Sequence, residues 1–218
     1  TELREKTCAK AAQMWDVDAA DVVFDGQYVR LSDERAAREQ NRYLTLRDFA
    51  NLCVKNIAGG DALTSHVSAC LPVSPPPFMA GIAEVEVDKA TGKVTVVDYA
   101  AAVDCGTVIN EALARVQAEG GIAQGIGHAL YEIVEHDERG RLRTGNFMSY
   151  KLPTRLDIGS IRVAFEPSYE PTGPFGAKSI GEVVINTPLA AVASAVAHAT
   201  GHQVRSLPIT PEKALLGE

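Results

Sequence analysis

Residues 80–103 read AGIAEVEVDKATGKVTVVDYAAAV, and their pattern decides the fold class. The first eight alternate between the two sides with period two, as a strand with one covered face does. Residues 88–93, DKATGK, hold turn chemistry. Residues 94–103 form a second strand, and the apolar run at its end is expected to be buried on both faces. Just upstream, residues 71–77 carry four prolines, which excludes an interior strand or helix. That run is expected to connect two lobes, an N-terminal α+β sub-lobe at 1–71 and a C-terminal sub-lobe at 78–218.

The N-terminal lobe opens with a helical pattern over residues 2–14, with Leu3, Cys8 and Ala12 on one face. A helix that starts at once, with only Thr1 available as a cap, is expected of a piece of a longer chain. Residues 22–24 and 28–30 flank Asp25-Gly26 and predict a hairpin. The charged stretch 32–42 predicts an exposed loop or short helix. Thr45-Leu46-Arg47-Asp48 resembles a capping box with Asp in the acidic position. It would open a helix to about residue 55 that buries Leu46, Phe49, Leu52 and Cys53, with Gly59-Gly60 ending the unit.

Beyond the two strands, residues 104–110 (DCGTVIN) predict a loop and residues 111–131 a helix. That helix carries Gly120, Gly121, Gly125 and Gly127, each costing about 1 kcal/mol relative to Ala in a helix interior. Either close helix packing or the approach of a ligand must offset that cost. Residues 141–150 predict a short strand or extended loop, residues 161–165 a strand, and residues 188–199 an Ala-rich helix stopped by Gly201. Thr210-Pro211 predicts the cap and first position of a last short helix, 211–216. Mixed elements joined by hairpins rather than by regular βαβ units make the fold class α+β, with mixed or antiparallel sheets and packed helices.

Composition narrows the function. The 218 residues are 46% hydrophobic and 22% charged, with a formal net charge of −7. No basic stripe is available for nucleic acid. No apolar run is read as long enough to cross a membrane, and no signal peptide opens the chain. The four cysteines form no CxxC pair. They are read as reduced, mostly buried thiols of a cytoplasmic protein. His198 and His202 have Gly201 between them and no metalloprotease pattern, so they are read as a polar helix end, and no metal ligand is assigned.

One stretch remains, Gly173-Pro174-Phe175-Gly176-Ala177-Lys178-Ser179-Ile180-Gly181-Glu182. A carboxylate at the end of a Gly-rich loop, just ahead of a helix, is placed well for a general base. The same pattern suits a connection whose acidic residue merely favours a helix N-terminus.

Three segments together resemble a known family: 117–127 (QAEGGIAQGIG), 176–182 (GAKSIGE) and 207–213 (LPITPEK). They are similar to the C-terminal part of the molybdopterin-binding subunit of xanthine dehydrogenase family molybdenum hydroxylases, which include aldehyde oxidoreductases. The resemblance covers most of the chain, most strongly from Phe78 onward. It implies two sub-lobes of a molybdopterin-binding domain and an oxidoreductase that hydroxylates a heterocycle or aldehyde with water-derived oxygen. Glu182 matches the family's general base, and Gln117 its pterin-binding glutamine. Gly120, Gly121, Lys178, Ser179 and Gly181 would line the cofactor, with main-chain contacts expected along the loop. The implied cofactor is a molybdenum-pyranopterin, in some members the cytosine dinucleotide form. 2Fe-2S clusters and FAD are expected on other domains or subunits. The expected partners are the rest of the molybdopterin subunit, the iron–sulfur and flavin subunits and a small-molecule substrate. By itself the chain is expected neither to hold the cofactor fully nor to turn over.

The match departs from the family pattern at two places. Val183 follows the glutamate where many members have proline, and Val116 precedes Gln117 where glycine is usual. Two other readings stand beside it: a non-catalytic structural or assembly module of the same fold, and an unrelated α+β enzyme using Glu182 and His128 as an acid/base pair.

Overall fold

A computed structural model describes residues 2–55, 63–68, 70 and 73–217. Gly59-Gly60 and the first two residues of the proline run lie outside the described residues. The chain divides into two compact units, Thr1–Cys70 and Leu71–Glu218.

The first unit packs helices against a small antiparallel sheet. Its elements are α1 (Glu2–Trp15), β1 (Val22–Phe24), β2 (Tyr28–Leu31), α2 (Glu34–Glu39), β3 (Tyr43–Thr45) and α3 (Leu46–Val54), with strand order β1-β2-β3. At the hairpin, the Asp25 carboxylate accepts from the N–H groups of Gln27 and Tyr28 at 2.9 and 2.8 Å. Thr45 caps α3: its Oγ1 accepts from Asp48 N–H at 3.1 Å and donates to Asp48 Oδ2 at 2.7 Å. The short carboxylate thus bonds the threonine hydroxyl. The core joins Ala11, Ala12, Val22, Val29, Phe49 and Cys53.

Two expected faces are corrected. Helix α1 buries Thr7, Ala11 and Ala12, while Leu3 is exposed, because the small side chains let the helix lie close to β1. Helix α3 buries only Phe49 and Cys53, one turn apart, and Leu46 and Leu52 are exposed.

The second unit contains β4 (Phe78–Val87), β5 (Val94–Asp104), α4 (Glu111–Leu130), β6 (Ser160–Phe165), α5 (Val183–Thr200) and α6 (Pro211–Leu216). Strand order is β4-β5-β6, antiparallel then parallel. The parallel pair requires a crossover, which α4 supplies, so the sheet is mixed, as expected, and holds one βαβ unit beside its hairpin. A bulge shifts the register between Glu84 and Val85 and divides the inner face of β5 into Val94 and Val96, then Tyr99, Ala101 and Val103. The strand's end is therefore not buried on both faces: Ala102 is exposed and Ala100 half-buried.

Helix α5 begins at Val183, five residues before the proline expected to open it. It buries Val184, Pro188, Val192 and Val196, one residue per turn. Interior proline is costly because its ring crowds the preceding turn and it lacks an N–H. Here Pro188 packs onto the bare backbone at Gly125, where an added Cβ would lie 2.8 Å from its ring. The extension also corrects the membrane reading: the 18 residues of α5, at mean hydropathy 1.4, are long and apolar enough to cross a bilayer by length and composition alone. A core helix meets the same test, and α5 packs on α4 and β4. Thr210 caps α6 through a bond to Lys213 N–H, as its sequence predicts. Residues 141–150 form no strand; Leu142 makes a single bridge with His136.

Candidate functional site

The Gly-rich stretch is a strap between the end of β5 and the start of α5. Gly176 has φ +82° and Gly106 has φ +68°, a region that favours glycine. The two backbones touch: a Cβ on Gly106 would come within 2.3 Å of Gly176 O. Thr107 N–H donates to Gly176 O at 2.7 Å, and Lys178 N–H donates to Cys105 O at 2.7 Å. A short antiparallel bridge, Gly106 with Ala177, results.

Side chains reinforce that junction. The Lys178 ammonium lies 2.5 Å from Asp104 Oδ2. Asp104 Oδ1 accepts from Ser168 Oγ at 2.5 Å and from Gly106 N–H at 3.0 Å. Lys178, then Ser168, then the Gly106 amide hold the Asp104 carboxyl down at about 2. The Phe78 ring faces the same ammonium at 5.0 Å. Sequence reasoning missed Asp104 and Ser168. The available signal was an acidic residue closing a strand two positions before a glycine.

At the other end of the strap, Gln117 Nε2 donates to Gly181 O at 2.8 Å. Glu182 follows at the N-cap of α5, in αR geometry, and its side chain makes no capping bond. Its carboxylate has no hydrogen-bond or ion-pair partner among the described residues and is solvent-accessible. The positive end of the helix macrodipole favours an anion there.

Val116, Gln117, Gly120, Gly121, Gln124, Gly181, Glu182 and Ile185 line a cleft of about 280 Å³. The structure thus brings Glu182 together with Gln117, Gly120, Gly121 and Gly181. Ser179 stands beside it, exposed, its Oγ 3.4 Å from Gly181 N–H. Lys178 is turned away, and both its main-chain N–H and its ammonium are already engaged. A larger groove of about 590 Å³ between β4 and α5 is lined by small and apolar residues with no ionisable group, so it lacks acid–base chemistry.

The four glycines of α4 divide by what they face. At Gly121 an added Cβ would meet Val184 Cγ2 at 2.3 Å, at Gly125 Pro188 and the Ile185 oxygen, and at Gly127 Glu132 and Pro153. Packing accounts for all three, and Gly121 also borders the cleft. Gly120 alone has nothing within 4 Å and leaves bare helix backbone at the cleft. His128 is engaged elsewhere: its Nε2 lies 3.4 Å from Glu132 Oε2, to which Tyr150 OH donates at 2.5 Å. It does not line the cleft with Glu182, so nothing supports the Glu182–His128 pair.

The arrangement fits one wall of a site for a polar, planar group. It offers the amides of Gln117 and Gln124, bare backbone at Gly120 and an unpartnered carboxylate. At about 280 Å³ the cleft lies near the lower end of the volumes that ligand pockets commonly enclose, about 300–1,000 Å³.

Comparison with known proteins agrees with that partial character. A family model described as a molybdopterin cofactor-binding domain matches residues 1–159; Glu182 and its strap lie beyond the match. The putative xanthine dehydrogenase molybdenum-binding subunit XdhA of Escherichia coli (strain K12) is 32% identical over 212 residues, which cover 97% of this chain and 28% of that protein. The aldehyde oxidoreductase of Megalodesulfovibrio gigas is 37% identical over 142 residues, 63% of this chain and 15% of that one. The crystal structure of quinoline 2-oxidoreductase from Pseudomonas putida 86 superposes with a TM-score of 0.73 at 29% identity, over 99% of this chain and 28% of that one. The chain therefore spans less than a third of the length of these relatives. It belongs to the molybdopterin cofactor-binding domains of the xanthine dehydrogenase family.

Proposed function

We propose that this chain supplies the catalytic wall of a molybdenum hydroxylase site, with Glu182 as the general base. The observation that carries the proposal is the Glu182 carboxylate, without a partner among the described residues, at the N-terminus of α5 in a cleft walled by Gln117 and Gln124. A base of this kind must be anionic at rest and fixed at the reacting atom. The strap fixes its main chain through Gln117 on one side and the first turn of α5 on the other. Gln117, with Nε2 committed to Gly181, presents its amide oxygen to a bound pterin. Gly120 admits that group to the helix backbone, and Gly121, Ser179 and Gly181 complete the wall. When bound, the molybdenum-pyranopterin, in either its simple or its cytosine dinucleotide form, supplies the two-electron redox chemistry. Glu182 takes up the proton released as water-derived oxygen is transferred to a heterocycle or aldehyde.

Some of the relatives are named as subunits, among them a dehydrogenase complex subunit gamma and a nicotine 6-hydroxylase large subunit of Paenarthrobacter nicotinovorans. By extension, the rest of the molybdopterin subunit and iron–sulfur and flavin subunits complete this enzyme.

The alternative is a structural or assembly module that leaves Glu182 unused. Metal and pterin analysis of the intact complex separates the two. Molybdenum and pterin at one equivalent per copy of this chain support the enzyme; their absence from a correctly assembled complex supports the module.

A further inference from the structure

We infer that Lys178 is a positioning residue for the base-bearing strap and not a ligand of the cofactor; the inference rests on the function proposed above. The ammonium is almost enclosed, with its side chain 8% exposed, and it bonds Asp104 Oδ2 at 2.5 Å. Asp104 closes β5, so the bond ties the strap to the end of the sheet's middle strand. The other carboxylate oxygen, Oδ1, accepts from Ser168 Oγ and Gly106 N–H. Removing the ammonium would leave a half-buried carboxylate without its counter-charge, which is costly.

The main chain repeats the attachment. Lys178 N–H bonds Cys105 O, and Thr107 N–H bonds Gly176 O. Between these residues and Glu182 lie only Ser179, Ile180 and Gly181, and the last is held by Gln117. The strap is thus anchored at 176–178 and again at 181, and Glu182 is the next residue. Phe175, at φ +56°, lies just before the first anchor. Non-glycine backbone in this region is strained and persists only where surrounding structure fixes it.

A charged side chain that served an anionic cofactor would point into the cleft with an unpaired ammonium. That of Lys178 is neutralised by Asp104 and is not part of the cleft lining. Its influence on the reaction therefore passes through the position of Glu182.

The test uses the complete molybdenum enzyme carrying Lys178→Met, Lys178→Arg or Asp104→Asn. For Lys178→Met, kcat is expected to fall about 10- to 100-fold, the scale on which misplacing a catalytic group acts. Molybdenum and pterin content and KM should stay unchanged, and amide exchange should accelerate at residues 177–182 but not in β5 or α4. Lys178→Arg, which keeps the ion pair, should recover most of the rate. Loss of pterin from Lys178→Met would overturn the inference in favour of a cofactor ligand, and unchanged strap exchange would overturn it outright. If Lys178→Met does not fold, Ser168→Ala removes one bond of the same cluster, and the same exchange pattern decides. Glu182→Gln is measured in parallel: full activity there removes the proposed function, while the exchange data still judge the anchoring.

Discussion

Gln117 Nε2 donates to the main-chain oxygen of Gly181 across 2.8 Å, joining α4 to the peptide one residue ahead of Glu182. The bond spans 64 residues of sequence and turns the amide so that its other end, Oε1, has no partner among the described residues. The side chain thus does two things, holding the strap and presenting an acceptor to the cleft. Gln117→Ala should lower stability by about 0.5–1.5 kcal/mol, the net worth of one hydrogen bond, toward the low end because the site is exposed. Gln117→Glu should cost more, since a carboxylate meets the Gly181 carbonyl as a second acceptor. Urea unfolding at constant m-value measures both.

Gly120 and Gly121 are adjacent and should respond oppositely to alanine. At Gly121 the new Cβ would press on Val184, and overpacking of that kind costs about 1–3 kcal/mol. At Gly120 it would meet nothing, and alanine's helix preference should stabilise the chain by about 1 kcal/mol. The same methyl group would stand in the cleft where the cofactor is proposed to approach. Gly120→Ala should therefore raise the unfolding midpoint of the chain and lower the pterin content of the assembled enzyme. An unchanged pterin content would place the cofactor elsewhere.

Much of this was legible in the sequence. Period-two alternation located β4, the Thr-x-x-Asp pattern located the cap of α3, and Thr210-Pro211 located α6. The start of α5 was hidden because Pro188 reads as a first-turn residue, and only the facing Gly125 explains its place inside a helix. Strand β3 was hidden because three residues are too few to alternate. The Gly-rich helix was legible as an anomaly, but sorting its glycines required knowing what each one faces. The resemblance singled out Glu182, whereas the Asp104–Lys178 attachment joins residues 74 positions apart, and no local pattern pairs the two.

Acid should weaken the second unit through that attachment. The Asp104 carboxyl is held at about 2 in the folded chain against an ordinary 3.8, first by Lys178 and then by Ser168 and Gly106. Because the folded value is depressed, the unfolded chain binds the proton more readily between those values. The carboxylate's contribution is complete above pH 3.8 and is lost as pH falls toward 2. Other depressed carboxylates, such as Asp98 beside Arg162, act in the same direction, so the informative quantity is a difference. The stability of Asp104→Asn should approach that of the parent as pH falls from 5 to 2. Urea midpoints across that range give the comparison, and a gap that stays constant contradicts the assignment.

Whether Glu182 moves a proton is read from kcat of Glu182→Gln in molybdenum- and pterin-replete enzyme. Glutamine keeps the shape and cannot accept the proton. Cofactor content should be normal and kcat lower by about 10²- to 10⁴-fold, the usual contribution of general base catalysis. Full cofactor content with full kcat would contradict it.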